Sequence, residues 1–152
     1  MPTYKHSVII DRPIDVVFKN ATCLKGCVNW QASVTKTEQI GDDAAQVGLR
    51  YKHNIKFMGR AFEAKPIITV YDSLHHFAHK DPDASVAYET FFDFEEVPEG
   101  TRFTIRVEVE PAQSFLGRVG LPIFLNAMGR QFDSDTSMLK ELLESDVTVH
   151  AQ

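Results

Sequence analysis

From Thr101 to Glu110 the chain alternates without a break, with Phe103, Ile105, Val107 and Val109 on one side and Arg102, Thr104, Arg106, Glu108 and Glu110 on the other. Successive side chains of a strand point to opposite faces, so this is a strand with one apolar and one wet face. The same period recurs in Leu49, Tyr51, His53, Ile55 and Phe57 against Arg50, Lys52, Asn54 and Lys56. Strands sheathed on both sides by crossover helices read instead as unbroken apolar runs. The alternation therefore predicts an antiparallel sheet and argues against a doubly wound fold.

Turn residues divide the middle of the chain into hairpins. Met58-Gly59 precedes Arg60–Tyr71, Asp81-Pro82-Asp83 precedes Ser85–Glu95, and Pro98-Glu99-Gly100 precedes Thr101. Glycine supplies positive φ and proline presets a turn. Tyr4–Ile10, Ser33–Ile40 and a short Leu74–His79 bring the count to about seven strands in one meander. Helices bracket this sheet. Asp11 followed by Arg12-Pro13 reads as the N-cap and first turn of a short helix through Val16, Val17 and Phe18, and a second short helix covers part of Leu24–Trp30. Leu121, Leu125, Met128, Phe132, Leu139 and Leu142 form one stripe at spacings of three and four, the mark of a long amphipathic helix. Pro122 fits either its first turn or a kink in a helix that starts near Gln113. Together these elements give an α+β chain.

Composition narrows the function. A length of 152 residues suits a single domain, with a core over about 3–145 and a frayed tail at 146–152. The 43% hydrophobic content supports a real core, and the net charge of −5, spread along the chain, argues against nucleic acid as a partner. No apolar run is long enough to span a bilayer, and the opening residues lack the apolar stretch of a secretory signal, so a cytoplasmic protein is expected. Cys23 and Cys27 match neither a zinc spacing nor a redox pair and read as two half-buried thiols.

The order of strand, two short helices, long meander and C-terminal helix, taken with particular residues, resembles the START-like, helix-grip superfamily in its polyketide cyclase/dehydrase and lipid-transport branch. The residues are Ser7-Val8-Ile9-Ile10-Asp11-Arg12-Pro13 with Val16 and Phe18 after them, then Trp30, Val47-Gly48, and Glu99-Gly100-Thr101-Arg102. The closing Leu139-Lys140-Glu141-Leu142-Leu143-Glu144 fits as well, so the resemblance spans about residues 3–145. It implies a curved sheet of seven strands gripping the long helix, with an internal cavity between them. It implies no single activity, because one fold hosts many.

The residues also argue for a site. Large rings crowd the inward positions: Tyr51, Phe57, Phe62, Tyr88, Phe92, Phe94, Phe103, Phe124 and Phe132, with Met128 among them. They either fill the core or line a pocket, which is mostly apolar with a few polar groups that orient the guest. His53 is the sharpest clue, since it sits between Tyr51 and Ile55 on an apolar face where a polar ring needs a partner or a ligand. Thr90 shares a face with Tyr88 and Phe92. Asp135 and Thr136 interrupt the helix stripe and either join this volume or turn away, Asp135 to solvent and Thr136 onto its own helix. Trp30, the sole tryptophan, matches a family position near the pocket's entrance, with plain packing as its alternative. His75 and His79 share one face of a short strand and His76 the other, too few ligands for a metal site, and no metal or cofactor is expected.

The leading reading is a protein that binds a small hydrophobic molecule, whether lipid, acyl chain or aromatic polyketide-like compound, under the C-terminal helix. An alternative is a cyclase or dehydratase that uses the same cavity, with His53 as acid or base and Tyr51 or Thr90 orienting a carbonyl. A third is a partner-binding surface on the basic strip Arg50, Lys52, Lys56 and Arg60. A monomer and a homodimer are equally open.

Overall fold

A computed structural model of the chain describes residues 3–23, 26–40, 45–84, 87–110 and 115–145, the side chains of 115–119 and 121 excepted. Leu24, Ser85, Gln113, the 146–152 tail and the side chain of Leu121 lie outside the described residues. The chain runs through β1 (Thr3–Ile10), α1 (Ile14–Thr22), a 3-10 turn (Cys27–Asn29), β2 (Val34–Ile40), β3 (Arg50–Phe57), β4 (Arg60–Ala64), β5 (Ile67–Asp72), β6 (His76–Lys80), β7 (Tyr88–Val97), β8 (Gly100–Val109) and α2 (Phe115–Glu144). The strands pair antiparallel in the order β1-β8-β7-β6-β5-β3-β2, with β4 hydrogen-bonded to β3 off this path. This is the α+β helix-grip architecture, a curled sheet and a long C-terminal helix.

The expected count of about seven strands holds along the main path, and β4 adds a short strand beside it. Arg60–Tyr71 is not one strand but two, because Pro66 lacks an N–H for the ladder and forces a corner. β4 pairs with the second half of β3, as in Ile55 opposite Phe62, whereas β5 meets its beginning at Arg50 and Ile67. The corner is tied by the Tyr51 amide donating to the Pro66 carbonyl at 3.1 Å and the Ile68 amide donating to Leu49 at 3.0 Å. The β3–β4 turn has positive φ at both central residues, Met58 at 53° and Gly59 at 76°, the backbone that matches the twist of a hairpin.

A second correction concerns the first helix. Pro13, not Asp11, stands at its N-cap, in extended conformation, and its carbonyl accepts from the Val16 and Val17 amides. The ring fixes φ for this position, and no side chain caps the helix. Ile14, Val17, Phe18 and Ala21 of α1 are buried. Phe18 packs edge-on to Phe94, which stacks on Phe103 with centroids 5.1 Å apart, so those two expected lining rings fill the core beneath α1.

α2 makes its close backbone approach to the sheet at β1. Tyr4 donates its hydroxyl to the Gly129 carbonyl at 3.0 Å and also bonds Asp133. A Cβ at Gly129 would lie 2.7 Å from the Tyr4 ring, so only glycine leaves room for this contact. Farther along, Lys140 Nζ donates to the Ile9 carbonyl at 2.6 Å, and Glu144 Oε2 accepts from the Asp11 amide at 2.7 Å. Pro122 lies inside the helix rather than in its first turn, where it cannot donate to the preceding turn. Of the described residues of α2, Met128, Gly129, Asp135, Thr136, Leu139 and Leu143 are buried.

Candidate functional site

The inward row of β3 carries Tyr51 and His53, in line with Leu49 just before the strand, all three buried. Tyr51 and His53 lie two apart on one face, with ring centroids 4.8 Å apart. Thr37 of β2 is the cross-strand partner of His53. The 3-10 turn brings Cys27 over this pair, its Sγ 2.9 Å from Thr37 Oγ1 and 3.7 Å from His53 Nε2. Burial sets the protonation states. It pushes the His53 pKa down to about 4 and the Cys27 thiol up to about 11, so both are neutral at pH 7. The Tyr51 hydroxyl is held well above its usual range by the same desolvation.

The wall continues across β6 and β7, where register sets His79 opposite Thr90 and Phe77 opposite Phe92. Thr90 and Phe92 are buried, and Tyr88 packs half-buried against the core. The Phe92 ring lies 5.9 Å from Trp30 and 6.1 Å from His79, and His79 lies 6.0 Å from Tyr51. Trp30, Phe92, His79, Tyr51 and His53 thus form one continuous run of rings. Two polar atoms in it are buried without a hydrogen-bond partner in the protein: Trp30 Nε1 and His79 Nδ1. Desolvation, with His53 nearby, lowers the His79 pKa to about 3.

From the helix side, Met128 is buried and Phe124 and Phe132 are partly buried against the core. Phe124 meets Phe57 of β3 edge-on, with centroids 5.8 Å apart. Asp135 does not turn to solvent. It is 2% exposed, and its Oδ1 accepts from the Ala32 amide at 3.1 Å and from Gln131 Nε2 at 2.8 Å. Desolvation outweighs those two bonds and raises its pKa to about 6. Thr136 bonds back to the Phe132 carbonyl at 3.0 Å, which satisfies it within the helix. Asp135 meets the segment after Trp30, and His53 meets Cys27 before it; the described contacts do not join the two directly.

Phe62 departs from expectation. It shares the inward phase with Ile55, yet it is 50% exposed, because β4 stands off the main strand path. Part of the basic strip is already paired: Arg50 with Asp83 at 2.7 Å, and Lys52 with Glu38 at 3.3 Å and Glu63 at 3.8 Å. His75 falls in the turn before β6, and His76 is exposed with its Nδ1 2.9 Å from Asp93. Among the described residues no group of three or more His, Cys, Asp or Glu is arranged to hold a metal ion. No described helix is long and apolar enough to cross a membrane. Sequence reasoning missed His79 and Cys27 as members of this wall. The shared face of Phe77 and His79 was the available signal for one; the 3-10 turn, which has no periodicity, hid the other.

Several solved structures share this fold. The di-domain aromatase/cyclase BexL from the BE-7585A biosynthetic pathway superposes with a TM-score of 0.80 at 13% identity, over 96% of this chain and 51% of that one. The protein TTHA0849 from Thermus thermophilus gives 0.77 at 20% identity, over 92% and 95% of the two chains. The major latex-like protein 151 of Panax ginseng gives 0.73 at 12% identity, over 95% and 98%. At these identities the likeness establishes the fold. No curated protein matches the sequence. A family model, however, matches residues 1–144, nearly the whole chain, and by it the chain belongs to the polyketide cyclase/dehydrase and lipid-transport family.

Proposed function

We propose that this protein binds a small hydrophobic molecule, a lipid, acyl chain or aromatic polyketide-like compound, between the inner sheet face and α2. The observation that carries the reading is the geometry of the helix. α2 comes close to the sheet backbone at β1, while its contact with β3 runs through side chains, Phe124 on Phe57, and Asp135 reaches the Ala32 amide in the turn before β2. We read the rod held at one side of a bent sheet as leaving a wedge toward the other, with the Trp30-to-His53 run of rings as its wall. An apolar wall with a few oriented polar groups is what a small-molecule site requires.

The same family accommodates ring-closing enzymes, and His53 would be the acid or base in that alternative. Its burial counts against it. A proton carrier works best with a pKa near the working pH, and at about 4 His53 is neither charged enough to donate nor basic enough to abstract efficiently at pH 7. Binding is therefore preferred. Native mass spectrometry of freshly purified protein, followed by thermal shift against a panel of lipids and polyketide-like aromatics, tests the proposal. A ligand at about 100 times its Kd adds about 2.7 kcal/mol, a rise of about 5–10 °C for a chain of this size. A bare mass and a flat panel would overturn it.

A further inference from the structure

We propose that the guest is an uncharged ring compound bearing a keto or hydroxyl oxygen, held by that oxygen at Trp30 Nε1 and His79 Nδ1, and that carboxylate and phosphate groups are rejected there. The inference deepens the proposed function and rests on it. Trp30 is 3% exposed, and its indole nitrogen can only donate, so the group it lacks is an acceptor. His79 Nδ1 donates or accepts according to tautomer, so it pairs equally with a carbonyl or a hydroxyl. Both residues pack on the Phe92 ring, with centroids 5.9 and 6.1 Å from it, so an aromatic guest bonded to either nitrogen would lie among aromatic neighbours. A buried polar atom left unpaired costs more than a made hydrogen bond gains, so an oxygen delivered here is strongly selected over a bare hydrocarbon.

Charge decides against anions. No Lys or Arg is buried among the described residues, so the wall offers no cation to a carboxylate or phosphate. The other titratable groups facing this region are Cys27, His53, Tyr51 and Tyr88, which burial holds neutral at pH 7, and Asp135, whose carboxylate bonds the Ala32 amide two residues beyond Trp30. An anion placed beside Trp30 would be desolvated without a counter-charge and next to a like charge.

The test uses three molecules of one shape: 2-acetylnaphthalene, 2-naphthoate and 2-isopropylnaphthalene, titrated at pH 7.5. Trp30 is the sole tryptophan, so the single indole N–H signal in a nitrogen-15 correlation spectrum reports on this one atom. The ketone is expected to bind about 10-fold more tightly than either the carboxylate or the hydrocarbon and to move the indole signal, as a donor gaining its acceptor requires. Trp30→Phe and His79→Phe should each erase the ketone's advantage while keeping hydrocarbon binding; the wild-type series stands alone if either variant fails to fold. Equal binding of ketone and hydrocarbon, an unmoved indole signal, or preference for the carboxylate would refute the polar pairing and leave hydrophobic binding intact. Binding of none of the three, with the lipid panel also flat, would refute both.

Discussion

Asp135→Asn is expected to stabilise the protein at neutral and alkaline pH. Asp135 is almost fully buried on α2 and accepts both of its described hydrogen bonds through Oδ1, an atom that asparagine retains. What the substitution removes is the cost of holding a carboxylate there. A pKa raised from 3.8 to about 6 means that the folded state binds a proton more tightly than the unfolded chain. Stability is therefore lost as pH rises through the window from about 4 to 6, and the loss is complete above it. At 1.36 kcal/mol per pH unit the loss reaches about 3 kcal/mol, with about 1 kcal/mol as a floor if the second oxygen is better solvated than the first. For a chain of this length that is about 2–10 °C in Tm. Thermal unfolding of both proteins from pH 3.5 to 8.5 is the assay. The variant's advantage should be near zero at pH 3.5, grow between about pH 4 and 6, and stay level above 7. A variant that is less stable at pH 8, or a gap that does not change with pH, would refute the reasoning.

Other expectations follow from single contacts. Gly100→Ala should abolish folding or cost more than about 4 kcal/mol, because the residue sits at φ 136° and its Cβ would lie 2.2 Å from the Ile10 carbonyl oxygen; a soluble variant with near-native Tm would show that the β1 end yields freely. Thiol titration of the native protein should show one cysteine reacting readily, the half-buried Cys23, and a second only on unfolding, since Cys27 is buried and its thiolate disfavoured. The His53 and His79 ring signals should stay constant by NMR between pH 6 and 8, as both are essentially uncharged there; a midpoint near 6.5 for either would mean that water reaches it.

The sheet was readable wherever one face is wet. β3 and β8 announce themselves by alternation, and their inward rows in the structure are the ones the period assigns. Pro66 was equally visible, but its effect was not: whether a proline ends a strand or sits at an edge depends on which neighbour needs its missing N–H. Phe62 shows a second limit. Its phase is correct and its burial is not, because period reports which way a side chain points and not whether anything lies above it. Asp135 marks a third. A carboxylate in an apolar stripe is ambiguous until its partners are known, and here the decisive one is a backbone amide 103 positions earlier in the chain. The candidate site was legible only as a collection of inward rings and one histidine. The unpaired nitrogens of Trp30 and His79 were not, since a missing hydrogen bond is a property of packed neighbours.

The clasp between the first strand and the last helix has a consequence for how this chain is made. Tyr4 reaches residue 129, and Ile9 and Asp11 reach residues 140 and 144, so the bonds that close the molecule span 125 to 133 positions. A ribosome-bound chain that has emerged only through β8 can already zip its hairpins, yet the inward row of β1 has nothing to lie under. Such distant partners make the final closure the slow step, and until it happens the inward apolar residues stay exposed to chaperones and to other incomplete chains.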